Sequence, residues 1–336
     1  MDSITHIALG ACIGEAALSK EFGKKAMVLG AVAQSLPDID VLASLWLPPA
    51  DNLLFHRGFT HSFLFGAIAA ALLSYMVQKK ASAHISFFKL FLFFCFQIWL
   101  HELLDTCNAY GTGLFEPFSH HRFSFHLLFV ADPFFTSSLV VATVVLIILP
   151  RENTRRRRWP LIGLTPATIY FCYAVFNKQV VKEEVTKSLS LQHIVSNDVI
   201  ITPTPFNSWL WYIVAATDSG YVVGYRSVFG KNGRPTSFTY YPKQEQLLKD
   251  VNKTEDVKQL QRFADNYYTV EQKDSLLILN VLRFGQVAGW QNAKAEFAFQ
   301  YFLNPGYDNS LVVQRGRFKG WNRETFIKMY NRIKGN

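Results

Sequence analysis

The strongest constraint on the fold is that the long apolar stretches of this sequence all lie before residue 178. They cover, approximately, residues 4–18, 26–36, 62–78, 86–105, 127–149 and 159–177. The last four approach the roughly 20 residues that a helix needs to cross a bilayer, whereas the first two are shorter and dip into the membrane or cross at a tilt. We therefore predict an all-α transmembrane helical bundle of four to six helices over residues 1–178.

Residues 179–336 alternate polar and apolar positions, as in a water-soluble domain. Strands are predicted at DVIITPTP, WLWYIVAA, YVVGYRSVF, SFTYYP, SLLILNVLRF, AEFAFQYFL and SLVVQ, and helices at KQEQLLKDV, EDVKQLQRFA and RETFIKMYNRIK. Asn322 is placed to cap the last helix. The sequence thus predicts a small soluble α+β domain rich in antiparallel strands.

The distribution of basic residues predicts the orientation of the bundle. The loops after the first, third and fifth helices contain Lys20, Lys24, Lys25, Lys79, Lys80, Arg151 and Arg155 to Arg158, whereas the opposite loops before the sixth helix contain only Arg57 and Arg122. Basic loops favour the cytoplasmic side. The C-terminal domain is then expected outside, in the periplasm of a bacterium.

The charge of +9 does not indicate a nucleic-acid partner, because its main cluster, RENTRRRR at residues 151–158, lies between two apolar runs and is typical of a topology signal. The four cysteines lack C-x-x-C spacing and are interpreted as small buried apolar residues. The N-terminus lacks a basic region and an A-x-A cleavage site, so a removed signal peptide is not expected.

Ionisable residues collect at the helix ends on the predicted outer side. They are His6, Asp38, Asp40, His56, His61, His101, Asp105 and Asp132. An unpaired charge at membrane depth costs on the order of 3 kcal/mol or more, so these groups need partners. Segments far apart in sequence are expected to converge in one polar layer.

His101 and Asp105 are four residues apart on a predicted helix, so they lie one turn apart on the same face. They can hold one metal ion together or form a structural hydrogen bond. Further imidazoles and carboxylates on other helices favour a divalent metal, with zinc first and one or two ions in all. The predicted metal ligands are His6, Asp38, His56, His61, His101, Asp105 and Asp132. A bound ion would activate water near neutral pH, which makes hydrolysis the expected reaction class.

The segment HRGFTHS, residues 56–62, is predicted to form one wall of this site. His61 is expected to be a direct ligand, and His56 a ligand or a group that holds one. Arg57 offers a planar fork for an anionic substrate, with lipid phosphate as the alternative partner. Thr60 and Ser62 are expected to cap a helix or hold the imidazoles. Asp40 and Arg57 are assigned as the catalytic pair.

The motifs MDSITH, LPDID, HRGFTHS, HELLD, YGTGLFEPFS, RFSFHLLFVADPFF and TPTPFNSWLW resemble those of the YdjM-like family of inner-membrane, LexA-regulated metal-dependent hydrolases. The resemblance implies a metal hydrolase of the bacterial inner membrane, multi-pass, with an additional C-terminal domain. A weaker similarity links the chain to zinc-dependent phospholipase C and P1 nuclease, which bind three zinc ions. This chain departs from them in having one clear H-x-x-x-D motif.

Three functions remain open from the sequence. The first is a metal-dependent hydrolase that cleaves a phosphoester or related bond of a lipid or periplasmic substrate. The second is an ion- or proton-coupled transporter or metal-binding membrane protein, for which Gln34, Gln97 and Thr143 are the best candidates for a polar path. The third makes the bundle an anchor for a partner-binding outer domain.

Overall fold

The computed structural model describes residues 1–80, 85–230, 234–249, 251, 254–304, 309 and 321–335. The chain forms two compact units: Met1–Trp46 with Phe55–Tyr173, and Leu47–Leu54 with Ala174–Asn336. The N-terminal region is helical, and the C-terminal domain contains antiparallel sheets, in the order that the sequence predicts. The predicted domain boundary at residues 178 and 179 stays a prediction.

Each of the six predicted N-terminal helices is present. The helices before residue 192 are α1 (Ser3–Phe22), α2 (Lys25–Ser35), α3 (Pro49–Phe55), α4 (Phe63–Lys80), α5 (Phe87–Asp105), α6 (Pro133–Ile148) and α7 (Trp159–Leu191). Short 3-10 helices cover Pro37–Leu45, Phe59–His61 and Thr154–Arg158. Helix α6 begins later than the predicted residue 127, because the Asp132 side chain caps it and Pro133 occupies its first position.

Two of these helical segments, Phe87–Asp105 and Thr154–Leu191, are long and apolar enough to cross a membrane. Two further spans result if each bent pair counts as one: Lys25–Ser35 with Pro37–Leu45, and Pro49–His61 with Phe63–Lys80, each bent by 55°. The predicted number of four to six crossing helices stays a prediction.

Helix α7 continues well past the predicted end at residue 177. Its second half places Val181, Val185 and Leu189 on one face, four residues apart, where they pack against Trp211 and Ile213 in the C-terminal domain. Helices present side chains at i and i+4 on the same side, so this half of α7 is amphipathic rather than uniformly apolar. The predicted end at residue 177 is therefore wrong, because the prediction relied on a continuous apolar run and the second half of α7 is apolar on one face only.

The C-terminal domain contains two antiparallel sheets with sequential strand order. The first consists of β1 (Asp198–Pro203), β2 (Leu210–Ala216), β3 (Gly220–Ser227) and β4 (Phe238–Pro242), and the second of β5 (Tyr268–Lys273), β6 (Leu276–Val281) and β7 (Gln300–Phe302). The domain also contains helices α8 (Thr254–Phe263) and α9 (Arg323–Ile333) and short 3-10 helices at Glu245–Leu248 and Leu282–Phe284. The predicted cap is confirmed, because the Asn322 side chain accepts from Thr325 N at 3.0 Å. The predicted strand SLVVQ lies outside the described residues.

Candidate metal centre

Close packing of α1 against α2 sets the base of the site. A Cβ atom on Gly30 would overlap the carbonyl oxygen of Gly10, and one on Gly14 would overlap that of Ala26. Small residues at such positions let two helix backbones approach closely. This approach brings His6, near the start of α1, to Gln34 at the end of α2, with His6 Nδ1 at 3.2 Å from Gln34 Oε1.

Four side chains from distant segments converge next to this pair. Asp38 comes from the 3-10 helix after α2, His61 from the short 3-10 helix before α4, and His101 and Asp105 from the last turns of α5. One ligand atom from each lies within 4.8 Å of the other three. All but Asp38 are fully buried. These four residues, which we call the metal cluster, can hold a metal ion.

Five of the six ligand-atom separations in the metal cluster are close to those of a tetrahedral metal site. His61 Nε2 lies 3.5 Å from Asp38 Oδ1 and 3.5 Å from Asp105 Oδ2, and His101 Nε2 lies 3.7 Å from each of these oxygens. The two Nε2 atoms are 3.2 Å apart. Metal–ligand bonds of about 2.1 Å in a tetrahedron place the ligand atoms roughly 3.4 Å from one another. The donor set of two imidazoles and two carboxylates thus has the separation that a zinc-like ion requires.

The outward nitrogens of both cluster histidines have oxygen partners. His101 Nδ1 lies 2.5 Å from the carbonyl oxygen of Gln34, which can only accept. His61 Nδ1 lies 3.1 Å from Thr60 Oγ1 and 3.3 Å from Asp40 Oδ2. Protonation at Nδ1 leaves a lone pair on each inward Nε2, as in metal sites where an oxygen behind the imidazole fixes its tautomer. Two lone pairs facing each other at 3.2 Å favour a cation between them.

A third imidazole stacks on the metal cluster. The ring of His6 lies 3.8 Å from that of His101, centroid to centroid, and His6 Nε2 is 3.3 Å from Asp105 Oδ1. The backbone nitrogen of Met1 also contacts this oxygen. The other Asp105 oxygen, Oδ2, faces His61 and His101 and forms an ion pair with Arg57 Nε at 3.0 Å. Asp105 therefore faces α1 with one oxygen and the metal cluster with the other.

Asp40 organises the HRGFTHS loop rather than joining the metal cluster. Its carboxylate accepts from the backbone nitrogen of Arg57 and from Thr60 Oγ1, both at 2.8 Å, and His56 Nδ1 lies 2.8 Å away. These contacts hold Arg57 in a left-handed conformation with φ of 62°. Through these contacts Asp40 holds the loop that carries His61. The catalytic role of Asp40 stays a prediction.

Arg57 lies beside the metal cluster. Its Nε is 3.0 Å from Asp105 Oδ2, its Nη1 donates to Asn108 Oδ1 at 2.8 Å, and its guanidinium lies 5.1 Å from the centre of the Tyr110 ring. The side chain is almost completely buried. Arg57 is thus a fixed cation within reach of any anion bound at the cluster.

Two further predicted ligands, His56 and Asp132, have other contacts in the structure, and their role as ligands stays a prediction. His56, with a side chain one-third exposed, contacts Asp40. Asp132 caps α6 by accepting from Phe134 N at 3.0 Å, and Tyr170 donates to its other oxygen at 2.8 Å. Ser62 caps α4 through Phe65 N, and Thr60 contacts His61, as predicted for these two hydroxyls.

Three residues that were not predicted as part of the metal site contact its members: Gln34, Asn108 and Tyr110. Gln34 contacts His101 through its backbone carbonyl and His6 through its side chain. Asn108 follows the H-x-x-x-D motif by three residues, and this proximity was the only signal that pointed to it.

The family model described as YdjM inner membrane protein matches residues 1–181, which include the whole metal cluster. This chain belongs to the YdjM family. The resemblance inferred from the motifs is thus confirmed, and YdjM family membership together with the apolar helices supports a location in the inner membrane.

Two curated proteins are similar to this YdjM family member. The inner membrane protein YbcI of Escherichia coli (strain K12) is 33% identical over 122 residues, which cover 36% of this chain and 69% of YbcI. The protein YfhP of Bacillus subtilis (strain 168) is 31% identical over 158 residues, which cover 43% of this chain and 46% of YfhP. The chain therefore spans less than half of the length of YfhP. No solved structure matches the chain.

Proposed function

We propose that this protein is a multi-pass, membrane-embedded, metal-dependent hydrolase that cleaves a phosphoester or related bond of a lipid or periplasmic substrate. The observation that carries this proposal is the pair of inward Nε2 atoms of His61 and His101, 3.2 Å apart and flanked by two carboxylates. We assign Asp38, His61, His101 and Asp105 as ligands of one divalent ion, with zinc favoured by the nitrogen and oxygen donor set. His6, beside Asp105, is the candidate for a second ion.

When bound, such an ion would lower the pKa of a coordinated water toward about 7 and polarise a phosphoryl oxygen. Arg57 would bind the anionic part of the substrate, since its guanidinium is buried and held by Asn108. Asp40 and Thr60 would keep His61 in the required tautomer. The protein residues thus supply ligands, orientation and one fixed positive charge.

An apolar cavity of about 600 Å³ supports a substrate with an acyl chain. Its lining includes Leu9, Leu100, Leu104 and Phe135. Leu100 and Leu104 each precede a cluster residue on α5, and Leu9 is one turn beyond His6 on α1. The lining extends along α1 as far as Ala17, about 12 Å by helical rise. This cavity would hold the acyl chain of a lipid beside α5, the helix that carries His101 and Asp105.

Two contacts disfavour the transporter alternative. Gln97 Nε2 donates to the carbonyl oxygen of Gly10 at 3.2 Å, and Thr143 Oγ1 donates to that of Ala8 at 3.1 Å. Each side chain therefore uses a donor to link a neighbouring helix to the backbone of α1. An ion pathway would need polar groups that continue from the metal cluster toward the other end of the bundle.

Turnover by the purified full chain in lipid nanodiscs tests the proposal. The substrates are phosphatidylglycerol and the water-soluble diester bis(4-nitrophenyl) phosphate, each with added zinc. We expect hydrolysis by the wild type and by His120→Ala, whose side chain is 65% exposed, and none by His61→Ala. Zinc flux into proteoliposomes without hydrolysis of either ester would instead support a transporter.

A further inference from the structure

A second polar cavity lies at the other end of α1, away from the metal cluster. It has a volume of about 500 Å³, and its lining includes Ser19, Lys20 and Gly23 at the end of α1 and Arg151 and Arg157 between α6 and α7. His6 and Lys20 are separated by fourteen residues of helix, which correspond to about 21 Å. This cavity is therefore independent of the metal centre.

The floor of the cavity is a buried ion pair with no net charge. Arg156 Nε donates to Glu15 Oε1 at 2.6 Å, and Arg156 Nη2 donates to Glu15 Oε2 at 2.8 Å. Arg156 Nη1 donates to the carbonyl oxygens of Leu146 and Leu149. Such a bidentate pair is rigid, and the donors of Arg156 all point into the protein.

The walls of the cavity carry an excess of positive charge. Among the described residues, Lys20, Arg151 and Arg157 form no ion pair, and besides Glu15 the only carboxylate in the lining is that of Glu152. Gly23 has φ of 56°, and a Cβ atom there would lie 3.0 Å from Arg151 Nε. The positive φ favours glycine at this position, and the Arg151 side chain lies against it.

We propose that this cavity binds the phosphodiester headgroup of an anionic phospholipid. Three unpaired cations above a neutral floor form a site for one phosphate, and arginine forks match phosphate oxygens. The cavity is lined by the segment that joins the apolar helices α6 and α7, so a lipid phosphate bound there would lie at the end of both helices while its tails stay in the bilayer. Basic residues at a membrane surface attract anionic lipids.

The test measures binding of phosphatidylglycerol and phosphatidylcholine to the full chain in detergent micelles by native mass spectrometry. Arg151→Gln with Arg157→Gln removes two cations from the cavity. Arg155→Gln with Arg158→Gln removes two exposed cations of the same cluster that do not line it. We expect phosphatidylglycerol binding to weaken about tenfold in the first double variant and to change little in the second. Phosphatidylcholine binding should be weak throughout.

Equal losses in the two double variants would show attraction by overall charge and would overturn the proposal. Displacement of phosphatidylglycerol by an equal concentration of inorganic phosphate would assign the cavity to a free anion and would overturn it too. If the first double variant is unfolded by circular dichroism, Arg157→Gln is compared with Arg158→Gln in the same way. In buffer without zinc, His61→Ala should bind phosphatidylglycerol like the wild type, which separates this proposal from binding of the same lipid as a substrate at the metal cluster.

Discussion

His61 Nε2 and His101 Nε2 face each other at 3.2 Å, while the Nδ1 atom of each ring is directed to an oxygen behind it. The two residues are 40 positions apart in the sequence and belong to different helical segments. Neutral imidazoles in these tautomers would repel each other through their lone pairs. A divalent cation between them relieves this repulsion, and Asp38 and Asp105 supply the compensating charge.

Replacement of Arg57 by lysine is expected to preserve metal binding and to lower turnover. An ammonium group cannot replace a planar fork that holds Asn108 and an anion together. We expect a fall in kcat on the order of a hundredfold, measured with the phosphodiester substrates, and unchanged zinc content. Loss of zinc with kcat per bound metal unchanged would make Arg57 a structural partner of Asp105 instead.

Asp40→Asn is expected to weaken zinc binding roughly 10- to 100-fold, because the oxygen that fixes the His61 tautomer loses its charge. Competition with a chromophoric chelator measures the Kd for zinc. Asp51→Asn, an exposed position on α3, is the matched control. Equal zinc affinity in both variants would remove the positioning role of Asp40.

Gly30→Ala is expected to destabilise the helical region by about 1–3 kcal/mol, because the new methyl group overlaps the Gly10 carbonyl. The shift should also displace His6 and Gln34 and reduce zinc content. Thermal unfolding in detergent gives the change in Tm, and Val32→Ala, an exposed position on the same helix, serves as the control. A Tm equal to that of the wild type would contradict the close packing of α1 and α2.

The sequence predicted those features that depend on local patterns. Apolar length located α5, and the spacing of four between His101 and Asp105 placed both on one face of it. No local pattern predicts the direct contact between Asp38 and His61. This contact depends on the path of the 3-10 helix Pro37–Leu45 and of the loop before α4. Gln34 contacts His101 through its backbone carbonyl oxygen. Every residue has this group, so the residue type at position 34 does not predict the contact.

Asp132 illustrates a pattern with two meanings. An aspartate directly before a proline is typical of a helix cap, and it is also a carboxylate at the predicted outer layer. Local hydrogen bonds to Phe134 and Phe135 and the hydroxyl of Tyr170 occupy it in the structure. The tyrosine lies 38 residues away, so the sequence alone did not distinguish the two interpretations.

The basic loops predict the orientation of the chain. Alkaline phosphatase, which is active only in the periplasm, should be active when fused after residue 180 or at Asn336 and inactive when fused within residues 151–158. Immunoblots must show equal amounts of each fusion. The opposite pattern of activity would place the metal cluster at the cytoplasmic side and exclude periplasmic substrates.

Metal content is the most direct test of the central claim. The full chain is purified as wild type, His61→Ala and His120→Ala, each is dialysed against limiting zinc, and bound zinc is counted by inductively coupled plasma mass spectrometry. The metal cluster predicts about one equivalent or more in the wild type and in His120→Ala, and almost none in His61→Ala. Equal zinc in all three proteins would contradict a metal centre at Asp38, His61, His101 and Asp105.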